Sequence, residues 1–160
     1  MTNNDIMRRL RYALDLNDST ITEIFGLSGL EIDQAQLSGL LKRDDEEGFT
    51  ACSKDSLKHF LDGLIIYKRG RKEDKPDQPG KTDSSLTNNV ILKKIRIALE
   101  LYENDMIEML KLGGMAISKA ELTALFRKKG HKNYKDCGDQ LLRNFLKGLT
   151  LRYRSASPEA

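Results

Sequence analysis

The side chains of this sequence best suited to nucleophilic or metal chemistry are Cys52, Cys137, His59 and His131. A thiol at the start of a helix can have a lowered pKa and act as a nucleophile, and a catalytic Cys–His pair would need His131 beside Cys137. We expect instead that both cysteines are buried structural side chains, because free cysteine is among the most buried residue types. The sequence therefore predicts a protein that is not an enzyme.

Motifs for catalysis, metal binding and nucleotide binding are missing from the sequence. The strings CxxC, HExxH, GxGxxG, GxSxG and GxxxxGK[ST] do not occur in it. The two cysteines and two histidines also lack the ligand spacing of a structural zinc site. We therefore expect no metal, no cofactor and no small-molecule ligand.

The elements that position these side chains occur twice, because the chain is a tandem duplication. When the sequence is shifted so that Asn3 falls on Asn88, the two halves align without a gap, and about 20 positions are identical. The matched pairs include Asn4/Asn89, Ile6/Ile91, Arg11/Arg96, Glu23/Glu108, Cys52/Cys137 and Gly63/Gly148.

The duplication predicts two helical domains and a connector. Residues 1–70 form repeat one and residues 88–154 form repeat two. Residues 71–87 are polar and contain Pro76 and Pro79, which is typical of a flexible linker. Residues 155–160 are expected to be a disordered tail.

Each repeat is expected to contain about four helices, so the fold class is all-α. In the first helix Ile6, Leu10 and Ala13 recur at the spacing of an amphipathic helix, and no segment alternates as a strand does. The predicted N-cap residues are Asn4 and Asn89 for the first helix, Asp33 and Ser118 for the third, and Ser53 for the fourth. Cys52 and Leu57 then have the spacing of a hydrophobic staple on the fourth helix.

Two further repeated features predict contacts between helices. Gly63 and Gly148 lie in the middle of a helix, where glycine costs about 1 kcal/mol relative to alanine, so we expect a close approach of another helix there. Arg11 and Glu23, repeated as Arg96 and Glu108, are expected to form an ion pair between the first two helices.

Several strings together resemble one known family. They are Asn88-Asn89-x-Ile91-Leu92-Lys93-Lys94-x-Arg96, His131-Lys132-Asn133-Tyr134-x-x-Cys137, Phe145-Leu146-x-Gly148-Leu149, Asp45-Glu46-Glu47-Gly48-Phe49, and Gly63-Leu64-Ile65 followed by Lys68-Arg69-Gly70. The chain resembles the YehS-like family of bacterial proteins, a duplicated domain of unknown function. The resemblance implies a bacterial, cytoplasmic, helical protein, and it implies no activity.

The two repeats differ in charge. Residues 3–70 carry nine Lys and Arg against twelve Asp and Glu, a net charge of −3, whereas residues 88–154 carry 14 against seven, a net charge of +7. The contrast is strongest after the third helix, where Asp44, Asp45, Glu46 and Glu47 lie in repeat one and Lys128, Lys129, His131 and Lys132 lie in repeat two. Drift on two solvated surfaces would also produce such a contrast.

Two functional hypotheses follow from this charge pattern. The first is a binding or regulatory module that associates with a protein partner or with itself through the opposed loops, with Tyr134 beside the basic residues. The alternative is nucleic-acid binding by repeat two through Lys93, Lys94, Lys128, Lys129 and Lys132, with Tyr134 as a stacking side chain. The sequence has neither a signal peptide nor an apolar stretch of membrane-spanning length, so a cytoplasmic protein without membrane contact is expected.

Overall fold

The computed structural model describes residues 1–70 and 86–155, and these residues form eight α-helices without any β-strand. The helices of repeat one are α1 (Asn3–Leu14), α2 (Asp18–Leu27), α3 (Gln34–Leu40) and α4 (Lys54–Arg69). Those of repeat two are α5 (Asn88–Leu99), α6 (Glu103–Leu112), α7 (Lys119–Leu125) and α8 (Asp139–Ser155). The all-α prediction with four helices in each repeat is confirmed. Most of the predicted linker, residues 71–85, and residues 156–160 of the predicted tail lie outside the described residues.

The helix starts follow the predicted capping residues in α3, α4 and α7, but not in α1 and α5. Asp33, Ser53 and Ser118 each accept a hydrogen bond from a backbone N–H of the first turn. Thr2 and Thr87, not Asn4 and Asn89, are the N-caps of α1 and α5. The prediction for the two asparagines was wrong because both are inside the helix and buried.

The two repeats pack into one structure with a shared apolar core. Within each repeat the second helix packs on the fourth, so that α2 contacts α4 and α6 contacts α8. The first helix of each repeat packs mainly on the last helix of the other, α1 on α8 and α5 on α4. Buried apolar side chains from both repeats therefore form a single cluster.

Polar contacts also join the first helix of each repeat to the last helix of the other. Lys94 of α5 forms an ion pair of 2.5 Å with Asp62 of α4. On the other side, the Arg154 guanidinium lies 4.2 Å from the ring centroid of Tyr12 and 3.3 Å from an Asp15 carboxylate oxygen. Each set of contacts joins the first helix of one repeat, or the residue that ends it, to the last helix of the other repeat.

The mid-helix glycines lie where two helices approach each other, as the sequence predicted. A Cβ atom on Gly63 would lie 1.9 Å from the Ile24 carbonyl oxygen, and one on Gly148 would lie 1.7 Å from that of Met109. Both distances are far inside van der Waals contact, so α2 and α6 could not pack on α4 and α8 at this distance if these residues were alanine.

The predicted ion pair between Arg11 and Glu23 is not formed. Arg11 instead lies 3.2 Å from Asp18, which begins α2, because α1 ends in a tight turn that brings the Arg11 head to the start of the next helix. In repeat two Glu108 pairs with Arg152 of α8 at 3.3 Å, and the prediction is wrong there as well.

Candidate nucleic-acid interface

A buried asparagine in each repeat fixes the loop that follows the third helix. The Asn89 amide donates to the carbonyl oxygens of Leu125 and Lys135, at 2.8 and 2.9 Å, and its oxygen accepts from the Cys137 N–H at 2.9 Å. Asn4 makes the same three contacts in repeat one, with Leu40, Thr50 and Cys52, all at 2.9 Å. The asparagine thus ties the first helix to both ends of the loop.

The two loops also have the same backbone hydrogen bonds. We name residues 42–50 the acidic loop and residues 127–135 the basic loop. The N–H of residues 46, 49 and 50 donates to the carbonyl oxygens of residues 43, 46 and 39, and the N–H of residues 131, 134 and 135 donates to those of residues 128, 131 and 124. Equivalent backbones therefore present side chains of opposite charge.

Three adjoining cavities surround Phe126 in repeat two, with volumes of about 320, 400 and 440 Å³. They share lining residues, so they form one surface, which we name the basic groove. Its cations are Arg69, Lys93, Arg96, Arg127, Lys128 and Lys129, and its aromatic side chains are Tyr102, Phe126 and Tyr134. Arg69 is the last residue of α4, so repeat one contributes to the groove.

The electrostatics of the basic groove favour an anion. Six Lys and Arg side chains line it, against two carboxylates, those of Glu100 and Glu103. Within residues 1–70 and 86–155, no carboxylate lies within ion-pair distance of any of these six cations. Their positive charge is therefore available to an anionic ligand.

The floor of the groove is held in place by Arg96. Its guanidinium lies 4.9 Å from the ring centroid of Phe126, and its Nε donates to the Leu101 carbonyl oxygen at 3.0 Å. A cation placed over an aromatic face in this way is attracted to the ring. Arg96 and Phe126 therefore form an apolar and cationic surface whose position is fixed by these two contacts.

The structure brings together four of the residues singled out from the sequence. Lys93, Lys128, Lys129 and Tyr134 line the same cavity. Partial burial and a hydrogen bond to Asp136 raise the pKa of Tyr134 above its ordinary value.

The other candidate residues of repeat two lie apart from that cavity. His131 lines the neighbouring one. Lys132 is exposed on the same loop but lines none of the three cavities. Lys94 pairs with Asp62 in the contact between α4 and α5, so it supports the packing of the repeats and not the groove.

The acidic loop exposes four acidic side chains, those of Asp44, Asp45, Glu46 and Glu47. The Glu46 carboxylate accepts from the Arg43 N–H at 2.6 Å, and Lys42 donates to the Glu47 carbonyl oxygen at 2.9 Å. Within the described parts of the chain, no ion pair joins this loop to the basic loop.

The surroundings of the two cysteines fit a structural role and not a catalytic one. Cys52 and Cys137 are both 6% exposed, and burial raises the pKa of each thiol to about 11. Cys52 Sγ lies 3.7 Å from the Met7 sulfur in the core. A thiol that holds its proton at neutral pH is a poor nucleophile.

His59 lies at a separate cavity of about 670 Å³ in repeat one, between the end of α2 and α4. Its Nδ1 lies 3.2 Å from the Ser28 carbonyl oxygen. The equivalent Asn144 in repeat two donates to the Gly113 carbonyl oxygen at 2.6 Å. Asn144 thus contacts the carbonyl oxygen at the end of α6 as His59 contacts the one at the end of α2. Because an asparagine makes the equivalent contact, the contact of His59 is explained by the packing of α2 on α4 and not by catalysis.

The described residues contain neither a metal-ligand cluster nor a membrane-spanning helix. Residues 1–70 and 86–155 contain no cluster of three or more His, Cys, Asp or Glu side chains suited to a metal ion. None of the eight helices has the length and apolar character needed to cross a bilayer.

The two repeats match one protein family. Residues 3–70 and residues 88–155 each match the family described as "Protein of unknown function (DUF1456)". The chain belongs to this family. It is 40% identical over 152 residues to the uncharacterized protein YehS of Escherichia coli (strain K12), a match that covers 95% of this chain and 96% of that protein. No solved structure gives a significant match. The resemblance to YehS-like proteins is thereby confirmed.

The sequence reasoning missed several groove residues of this DUF1456 protein. Arg127 directly precedes the Lys128-Lys129 pair and could have been included with it. Tyr102 occupies the position of Asn17, the N-cap of α2, and an aromatic residue at a capping position is a signal that comparison of the repeats could have found. Arg69 belongs to repeat one, and no local pattern connects it with repeat two.

Proposed function

We propose that this protein is a non-catalytic binding module that holds nucleic acid in the basic groove of repeat two. The observation that carries the proposal is the convergence of six Lys and Arg side chains around the half-buried Phe126, with Tyr102 and Tyr134 lining the same groove; none of the six forms an ion pair with a carboxylate of residues 1–70 or 86–155. Unpaired cations interleaved with aromatic rings suit a ligand that has both phosphates and bases. The counterpart surface of repeat one is less suited to such a ligand.

The counterpart residues of repeat one show why. Arg8, the counterpart of Lys93, donates to the Lys42 carbonyl oxygen at 2.8 Å and pairs with Asp5. Asp44 replaces Lys129, and Leu41 replaces Phe126. Arg8 is therefore already engaged within the chain, and the acidic loop that follows repels phosphate.

The test is fluorescence anisotropy of labelled oligonucleotides, titrated with protein from low to physiological salt. The variant Lys128→Glu/Lys129→Asp removes two groove cations, and Lys54→Glu/Lys147→Glu makes the same charge change at exposed positions outside the groove. We expect the groove variant to bind at least about tenfold more weakly. Its plot of log K against log salt should become shallower by about 1.4, because each lost phosphate contact contributes roughly 0.7 for single strands.

The control variant has the same reduced net charge as the groove variant but keeps every groove cation. It should therefore bind within about twofold of the natural protein. Absence of binding at low salt would overturn the proposal. An equal loss in the groove variant and the control would show a response to net charge alone, and the groove would then have no specific part.

Self-association through the two loops is a second candidate. It is favoured by the exposure of both loops, their equivalent backbones and the lack of an ion pair between them in the described residues. The acidic loop of one copy could then meet the basic loop of another, as electrostatic complementarity favours. Sedimentation at low and high salt tests this: a dimer at low salt that dissociates at high salt supports it, and a monomer at both contradicts it.

A further inference from the structure

We infer that the basic groove accepts single-stranded nucleic acid in preference to duplex, with an unpaired base stacked on Tyr102. This inference rests on the proposed function and adds to it the class of strand and the side chain that recognises the base. It comes from the position of Tyr102, from the shape of the groove and from the comparison with repeat one.

Tyr102 occupies a position at which a tyrosine is unfavourable for the fold. It is the N-cap residue of α6 but makes no side-chain capping hydrogen bond, whereas the equivalent Asn17 accepts from the Thr20 N–H at 2.8 Å. Asparagine is among the best N-cap residues and an aromatic residue is not. The ring is also 78% exposed, so burial does not explain it either.

The surroundings of the ring fit a base. Tyr102 shares a cavity with Arg69, Lys93, Arg96 and Phe126, so an aromatic face lies beside cations that can hold the adjacent phosphates. Proteins that bind single strands combine such aromatic surfaces with a positively charged groove. Tyr134 and Lys128 line the adjoining cavity and extend the same arrangement along the groove.

The shape of the groove disfavours a duplex. The cations come from α5, from the loop after α7 and from the end of α4, and not from one exposed helix face that could lie along a duplex. The cavities of about 320 to 440 Å³ are in the size range of small-molecule sites, roughly 300–1,000 Å³. Bases in a duplex are stacked on each other, so their faces cannot reach Tyr102 without unpairing.

The experiment compares three labelled probes of equal length: a single strand, the corresponding duplex, and a single strand whose central nucleotides lack bases. The variant Tyr102→Asn introduces the residue that repeat one has at the equivalent position, so it preserves the helix start. Tyr67→Ala removes a partly exposed tyrosine outside the groove and serves as the matched control. Thermal denaturation is measured for each variant.

We expect the natural protein to bind the single strand at least about tenfold more tightly than the duplex or the strand without bases, the size of effect that one stacked base gives. Tyr102→Asn should remove this preference, leave the salt dependence unchanged and raise the Tm, while Tyr67→Ala should keep the preference. The salt slope separates stacking from phosphate binding.

Two results overturn the inference in different ways. If the duplex binds as tightly as the single strand and Tyr102→Asn changes neither affinity, the inference fails while nucleic-acid binding stands. If none of the three probes binds at low salt, the proposed function fails and the inference fails with it.

Discussion

The acidic and basic loops have the same backbone hydrogen bonds and the same asparagine at their base, yet one is anionic and the other cationic. The shared pairs Asn4/Asn89, Cys52/Cys137 and Gly63/Gly148 are buried and maintain the fold. The differences in charge lie on the surface, around Phe126 and its counterpart Leu41. The comparison teaches that the duplicated scaffold is symmetric and that the proposed binding surface is not: it is built mainly from repeat two, with Arg69 added from the end of α4.

The largest effects are expected where the repeats agree. Asn89→Ala leaves the buried Cys137 N–H without its acceptor and two carbonyl oxygens without their donor, so we expect a loss of about 3 kcal/mol or more in the free energy of unfolding. Asn4→Ala should cost the same within about 1 kcal/mol. Urea denaturation measures both, and a loss below about 1 kcal/mol in either variant would contradict a shared structural role.

The thiols should make stability fall between about pH 9 and pH 11. The unfolded thiols ionise near their ordinary pKa of 9.0, whereas burial holds the pKa of each folded thiol at about 11. In this window the folded state binds more protons, so the free energy of unfolding decreases as pH rises, by about 1–3 kcal/mol per thiol.

The natural protein and Cys52→Ala/Cys137→Ala are compared by urea denaturation across this pH range. The variant should show a flatter pH dependence because the two thiols no longer contribute. An identical slope in both proteins would mean that the cysteines are not buried as the structure shows, and single replacements would then locate the discrepancy in one repeat.

A smaller effect is expected where the helix caps differ. Tyr102→Asn should raise the free energy of unfolding by about 1 kcal/mol, because it supplies the side-chain cap that Asn17 gives to α2. The reciprocal change Asn17→Tyr should lower it by a similar amount. Thermal denaturation of the pair checks the prediction, and a destabilised Tyr102→Asn variant would show that the ring supports the fold.

The smallest effect on stability is expected from exchanging the loop charges. Lys129→Asp/His131→Glu/Lys132→Glu places in repeat two the residues that repeat one carries on the same backbone. These side chains are exposed, so we expect a change within about 0.5 kcal/mol in the free energy of unfolding. Urea denaturation beside the binding titration checks this, and a large loss of stability would show that the two loops are not structurally equivalent.

Local features of the fold could be predicted from the sequence because they depend on neighbouring residues. Asp33, Ser53 and Ser118 cap their helices as expected, and the amphipathic spacing of Ile6, Leu10 and Ala13 places them in the core. The caps of α1 and α5 were missed because Asn4 and Asn89 have capping side chains that the structure uses for a long-range purpose. A residue type indicates which hydrogen bonds are available, and not where the partners come from.

The candidate site was predicted in part for the same reason. Lys93, Lys128, Lys129 and Tyr134 were found from charge and composition, and the structure places them together. Lys94 has the same side chain as Lys93 and adjoins it, but it points to Asp62 in the other repeat. Adjacent residues on a helix face different directions, so charge alone could not separate a groove residue from an interface residue.

The sequence by itself determined the duplication, the helical class, the approximate helix positions and the difference in charge between the repeats. Tertiary structure decided which helices pair, because an apolar stripe on α1 indicates that this face is buried but does not identify the helix that covers it, and here it packs on α8. The same pairing brings the end of α4, with Arg69, to the edge of the basic groove. A groove built from three distant segments exists once those segments are packed, and no local pattern encodes it.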